Sequence, residues 1–214
     1  MESNVRQQRI CGLLGGLTYI STVDYYNYIN RMVNEALPGH SSCIHIISVN
    51  IFHYVKLLEQ SEWSKAIDYL VEGVRQLVNS GIDFLVIGSN TAHIAVSRIA
   101  ECYPDLVVLH ISDAVAHAIK QKKIHKIGFL GTRFTMKPDS CAVQRLIEHG
   151  FEVIFPNDEE IVQLNDIIMK ELSFNIFTEE SKQTYVKVIQ RLKDEHNVEG
   201  IVLGCTGENF NVID

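Results

Sequence analysis

The sequence predicts an α/β protein made of two pseudo-symmetric halves. Each half is a doubly wound, mainly parallel sheet clothed by helices, and the active site is expected in the cleft between them. Three observations carry this expectation. Short β-branched and aliphatic runs alternate with longer amphipathic stretches, the rhythm of parallel strands joined by helical crossovers. The chain matches itself at a constant spacing. Glycine-containing turns follow the strands, at the ends where open α/β sheets bind their ligands.

Taken in order, strands are expected near 9–14, 43–49, 83–88, 106–110, 126–131, 151–155 and 200–204, each a short aliphatic run. Helices are expected over 22–36, 63–79, 92–102, 112–122, 138–149, 158–173 and 179–196, where apolar residues recur at helical spacing. The basic run KQKKIHK ends the helix between the halves and reads as solvated charge at a helix C-terminus. The three tyrosines Tyr25, Tyr26 and Tyr28 read as helix packing. The first half is placed at 1–112 and the second at 113–214.

The internal match is specific. Cys11–Gly16 (CGLLGG) resembles Ile127–Thr132 (IGFLGT), with Cys11 and Ile127 116 residues apart. The same shift carries Val86-Ile87-Gly88-Ser89 onto Val202-Leu203-Gly204-Cys205, and helices opening on Ser64-Lys65 and Ser181-Lys182 precede the two. By that shift the helix after Cys205 would run to about residue 218 with a strand beyond it. The second half is therefore expected to lack the last strand and helix.

Composition narrows the function. The 214 residues are 46% hydrophobic and 21% charged, enough to bury a large core, and the formal net charge is −7. An acidic chain of this kind is poorly suited to neutralising phosphates, so nucleic acid is not the expected partner and a small molecule is. The N-terminus, MESNVRQQRICGLL, carries neither a signal peptide nor a membrane span, which points to the cytosol.

Five cysteines, Cys11, Cys43, Cys102, Cys141 and Cys205, are odd in number and form no CxxC pair, so neither a disulfide framework nor zinc is expected. Four of them read as inert buried thiols. Cys205 differs, because it follows a strand and opens a Thr-Gly turn where backbone N–H dipoles can favour a thiolate. His40, His45, His53, His117, His125, His149 and His196 fall in unrelated elements without ligand spacing, so no metal is expected. His93, four residues after Ser89, is equally readable as an orienting, capping or core residue, and so is His110. Neither CGLLGGLT nor IGFLGTRFT completes a dinucleotide or P-loop pattern.

These residues resemble the aspartate/glutamate racemase superfamily over nearly the whole chain. Gly15-Gly16-Leu17-Thr18-Tyr19-Ile20-Ser21-Thr22 is similar to the opening G-G-M-S-W-E-S-T, and Ser89-Asn90-Thr91-Ala92-His93 to C-N-T-A-H. Leu130-Gly131-Thr132-Arg133-Phe134-Thr135-Met136 is similar to L-G-T-R-Y-T-M, and Leu203-Gly204-Cys205-Thr206 to the start of a G-C-T-E turn. The resemblance implies α-proton transfer on an acidic amino acid without pyridoxal phosphate or any other cofactor, by a homodimer. It implies Cys205 as the thiol acid/base with Ser89 opposite it. Leu17, Thr18, Asn90, Thr91, Thr132, Thr135, Thr206 and Gly207 then hold the substrate. Removing an α-proton creates a carbanion, so such a site needs a desolvated base and fixed donors for the developing charge.

Five departures bear on the chemistry. Ser89 stands where two-base racemases carry their first cysteine, Ile20 and Gly207 stand where glutamates are usual, and Gln163 lies near an expected lysine. Asn50-Ile51 replaces an Asp-Phe pair. A one-sided racemase fits this pattern. A related single-cysteine decarboxylase or diacid isomerase, or a silent amino-acid-binding homologue, are the alternatives.

Overall fold

The computed structural model describes residues 8–205. Residues up to Gly88 together with Ala95–Leu109 form one compact unit, and Ser89–Ile94 together with the residues from His110 form another.

The first unit contains β1 (Cys11–Gly15), α1 (Tyr19–Ala36), β2 (Ile44–Ser48), α2 (Ile51–Glu59), α3 (Trp63–Asn79), β3 (Phe84–Ile87), α4 (Val96–Cys102) and β4 (Val107–Leu109). Its sheet runs β2-β1-β3-β4 with every pair parallel. All five residues of β1 are buried, the expected pattern for an unbroken apolar run at the centre of a parallel sheet. On α3 the buried stripe is Ala66, Leu70, Gly73, Val74 and Leu77, one face of a helix. Gly73 lets this helix close on the sheet, since a Cβ there would meet a Leu14 methyl at 2.8 Å.

The second unit contains α5 (Ile111–Gln121), β5 (Lys126–Leu130), α6 (Cys141–Glu148), β6 (Glu152–Ile154), α7 (Asp158–Lys170), α8 (Glu179–His196) and β7 (Gly200–Leu203). Its parallel sheet runs β6-β5-β7. Phe129, Leu146, Leu164, Tyr185 and Leu192 belong to the core. A capping box between Asn157 and Glu160 opens α7, and the Arg191 guanidinium of α8 donates to the same Glu160 carboxylate at 2.7 Å.

The duplication read from the sequence extends to hydrogen-bond register. Cys11 pairs with Phe84 and Leu14 with Ile87, while Ile127 pairs with Gly200 and Leu130 with Leu203, so one shift of 116 residues moves both partners together. An acidic side chain clamps the entry to each central strand. The Asp83 carboxylate accepts from the Ile10 N–H at 2.6 Å, and the Glu199 carboxylate accepts from the His125 and Lys126 N–H groups at 2.6 and 3.1 Å.

All seven expected strands are present, but the helices need correction. α2 falls where no helix was expected: the Asn50 side chain accepts from the Phe52 and His53 N–H groups at 2.9 and 3.3 Å, a side-chain N-cap. The stretch expected as one helix at 92–102 is a 3₁₀ turn, Thr91–Ala95, followed by α4. α6 starts at Cys141, after Pro138 and the Ser140 cap, and α7 stops at Lys170 before a second 3₁₀ turn, Leu172–Phe174. Two of the cysteines read as buried, Cys43 and Cys102, are exposed. Tyr26 and Tyr28 are also exposed, with the Arg31 guanidinium 4.6 Å from the centre of the Tyr28 ring.

After β1 the chain turns at Gly16, whose φ is +87° and whose missing Cβ would lie 2.1 Å from the Val49 carbonyl oxygen. Gly39 also has positive φ, +83°, but nothing within 4 Å of its absent Cβ. Gly39→Ala should therefore cost about 1 kcal/mol of backbone strain, and Gly16→Ala about 3 kcal/mol through strain plus overlap. Urea-unfolding midpoints of the two variants check this. Equal losses would show that φ alone, not the approach of Val49, demands glycine at position 16.

Candidate active site

Strand ends supply the turns of the second unit. The Gly204 N–H donates to the Leu130 carbonyl, and a Cβ on Gly204 would lie 2.5 Å from the Phe129 ring, so this close crossing requires glycine. Cys205, half-buried, is the next residue. Asn90 joins the same place from the other end of the sequence: its side-chain amide donates to the Gly204 carbonyl at 2.8 Å. The peptide carrying the thiol is thus tied to the residue following Ser89, which is itself 8% exposed.

Hydroxyl groups continue from this junction. Thr91 Oγ1 lies 3.4 Å from Thr132 Oγ1, which lies 3.3 Å from Thr135 Oγ1. Thr135 also donates to the Thr132 carbonyl at 3.0 Å, and the Ser140 hydroxyl donates to the Thr135 carbonyl at 2.8 Å. The loop after β5 is secured by Asn165, whose side-chain oxygen accepts from the Arg133 N–H at 3.1 Å. The cluster built this way is uncharged, hydrogen-bonded and fixed by backbone, which suits it to binding oxyanions.

Structure decides the two ambiguous histidines. His93 is fully buried; its Nε2 accepts from the Ile111 N–H at 3.2 Å, and its Nδ1 lies 2.8 Å from the Ser89 carbonyl oxygen. Only the neutral ring protonated on Nδ1 satisfies both bonds. Burial first, and His110 beside it second, hold its pKa down to about 4. His110 caps α5 by accepting from the Ser112 N–H at 3.2 Å through Nδ1, and its Nε2 faces the Cys141 sulfur at 3.6 Å. The two rings stand 4.4 Å apart. Burial lowers the His110 pKa and raises that of the Cys141 thiol.

Among the residues expected at the site, Ser89, Asn90, Thr91, Thr132, Thr135 and Cys205 all lie in the second unit. Leu17 and Thr18 lie in the first, both buried. The Thr18 side chain caps α1 by accepting from the Ser21 N–H at 3.3 Å. Thr206 and Gly207 lie outside the described residues. Gln163 is exposed on α7, whereas Asn165, two positions on, is buried and was not anticipated. Its signal was a polar side chain on the apolar face of α7, beside Leu164 and Ile168.

The neutral state of His93 has a pH consequence. With a folded pKa near 4 against an ordinary 6.5, the unfolded chain takes up the proton first as pH falls. This contribution is intact above pH 6.5 and is lost between there and pH 4, up to about 3 kcal/mol in all, with His110 acting in the same direction. Urea midpoints measured from pH 7 to pH 4.5 should fall less steeply for His93→Gln than for the natural sequence. Identical slopes would show that His93 does not carry the effect.

A family model described as Asp/Glu/hydantoin racemase matches residues 14–208. A candidate Asp/Glu racemase from Yersinia pestis is 37% identical, with a TM-score of 0.82, over 94% of this chain and 86% of that one. An aspartate racemase homologue from Pyrococcus horikoshii is 29% identical with a TM-score of 0.74, again over 94% and 86%. A glutamate racemase from Francisella tularensis, solved in complex with D-glutamate, is 16% identical, with a TM-score of 0.65 over 94% and 69%, and shares the fold. Among the described residues no helix is long and apolar enough to cross a membrane. With its α/β fold of parallel sheets and a racemase-type function, this chain belongs to the Asp/Glu/hydantoin racemase family.

Proposed function

We propose that the protein is a cofactor-independent racemase of an acidic amino acid, using Cys205 as its thiol base and working from one side because Ser89 stands where the family's other cysteine would be. The observation that carries this reading is the bond from the Asn90 amide to the Gly204 carbonyl. It supports a single constellation of thiol, serine and neutral donors within one unit. The family resemblance adds substrate contacts from Leu17, Thr18, Thr206 and Gly207, a cytosolic homodimer, and independence of pyridoxal phosphate and metal.

In this mechanism the Cα–H bond of the bound acid breaks and its proton passes to the Cys205 sulfur. The substrate carboxylate takes up the developing charge, stabilised by the hydroxyls of Thr91 and Thr132 and by backbone N–H groups. Return of a proton to the opposite face inverts the centre; return to the same face gives exchange without inversion. A thiol has an ordinary pKa near 8.5, and a serine hydroxyl is several units weaker as an acid, so Ser89 serves as a donor or relay and not as a base. The L enantiomer, whose α-hydrogen the resemblance directs toward Cys205, should lose it faster than the D form.

Two outcomes test the reading. Cys205→Ser should lower α-deuterium uptake from L-aspartate or L-glutamate by about 10³-fold or more, followed by NMR, with an unchanged unfolding midpoint. Full exchange in that variant removes the thiol mechanism, and release of carbon dioxide from a substituted malonate instead would make the protein a decarboxylase. For the natural sequence, uptake from the D acid should be at least about 10-fold slower than from the L acid, and Ser89→Cys should raise it. Equal uptake from both enantiomers would show Ser89, or a water it holds, to be a competent base.

A further inference from the structure

We propose that His93 is a positioning residue: by holding the Ser89 carbonyl it fixes the Ser89–Asn90 peptide, and through the Asn90 amide it fixes the Gly204–Cys205 peptide for proton transfer. The inference rests on the reading of Cys205 as the base but concerns a group that touches neither substrate nor thiol. His93 Nδ1 donates to the Ser89 oxygen at 2.8 Å, and Asn90 Nδ2 donates to the Gly204 oxygen at 2.8 Å, so two bonds and one peptide link the buried ring to the residue before Cys205. The other ring nitrogen accepts from the Ile111 N–H at the start of α5. His93 is therefore clamped to a rigid helix start on one side and to the serine turn on the other.

A circuit of contacts closes behind it. His110 lies against His93 with its ring tilted at 56°, caps α5, and reaches the Cys141 sulfur; Cys141 opens α6. Ser140, the cap of α6, donates to the Thr135 carbonyl, and the hydroxyls of Thr135, Thr132 and Thr91 lead back to the residue after Asn90. Every member belongs to the second unit. Small displacements at His93 are thus transmitted to Asn90 and to the Gly204 carbonyl it holds, because such a ring of bonds has little room to relax.

The two nitrogens of His93 can be removed separately. His93→Asn places an amide donor where Nδ1 lies and keeps the bond to Ser89, whereas His93→Gln places its amide where Nε2 lies and keeps only the bond to Ile111. Both variants lose one hydrogen bond, so a purely structural role predicts similar behaviour. Positioning through Ser89 predicts that His93→Gln loses about 10- to 100-fold in kcat for L-acid exchange with KM changed less than about 3-fold, and that His93→Asn stays within about 3-fold of the natural kcat.

A second readout needs no substrate: the pH profile of Cys205 alkylation by iodoacetamide, followed by peptide mass spectrometry well below the lowest unfolding midpoint. It should shift in His93→Gln and not in His93→Asn. If the natural sequence exchanges no α-proton yet alkylation separates the variants in this way, the racemase reading fails and the positioning role stands. Equal effects of the two variants, or no effect of either, on both readouts overturn the positioning role whatever the activity of the natural sequence.

Discussion

In both units the residue that ends a strand is caught by one backbone bond from the central strand, Gly88 N–H to the Leu14 carbonyl and Gly204 N–H to the Leu130 carbonyl. This parallel ladder sets where each turn begins. Ser89 and Cys205 are the first residues released from it, at the strand ends where parallel sheets leave room for a ligand. The two crossings differ in tightness. A Cβ on Gly88 would sit 3.5 Å from the Leu14 oxygen, an ordinary contact, whereas on Gly204 it would sit 2.7 Å from the Leu130 oxygen and closer still to Phe129. The turn before Cys205 is therefore built on a backbone approach that only glycine permits, and the turn before Ser89 is not.

The hydroxyls that follow Asn90 are held without charge. Thr91, Thr132 and Thr135 are β-branched, so their χ1 angles are stiff, and their hydroxyls meet one another at 3.3–3.4 Å. Each contributes about 1 kcal/mol when paired and would cost about 1–3 kcal/mol if buried without a partner. A charged cluster joins α5 to α6 in the same unit. Asp113 of α5 is engaged by Arg145 at 2.7 and 3.0 Å and by His149 at 2.7 Å, and the Arg145 guanidinium holds its carboxyl down to about 2.

Much of this was legible in the sequence because periodicity and repetition are long-range signals. All seven strands needed only the apolar pattern, and the shift that carries Cys11 to Ile127 and Ser89 to Cys205 needed only the repeated motifs; the strand pairing of the structure obeys the same shift. Short-range chemistry was harder. In sequence Asn50 departs from an Asp-Phe pair; in the structure it is an N-cap, and α2 follows from it. Cys43 and Cys102 look like other small apolar residues until the sheet edge and helix end that expose them are known. The role of Asn165 depends on a partner 32 residues away, which no local pattern encodes.

His93 shows why the site was only partly readable. A buried imidazole is expensive to desolvate, and an apolar side chain of similar volume would avoid that cost. It would also strand two backbone groups, the Ser89 carbonyl and the Ile111 N–H, at about 1–3 kcal/mol each. The balance favours a ring with one donor and one acceptor, held neutral by the surroundings that make it costly to charge. Sequence alone offered three equal roles for this residue, because its distinguishing property is a tautomer, and the tautomer is fixed by partners four residues before it and eighteen after. Neutrality is also what the partners require: protonating Nε2 would turn the acceptor that meets the Ile111 N–H into a second donor and set two N–H groups against each other, so charging the ring costs a hydrogen bond as well as desolvation.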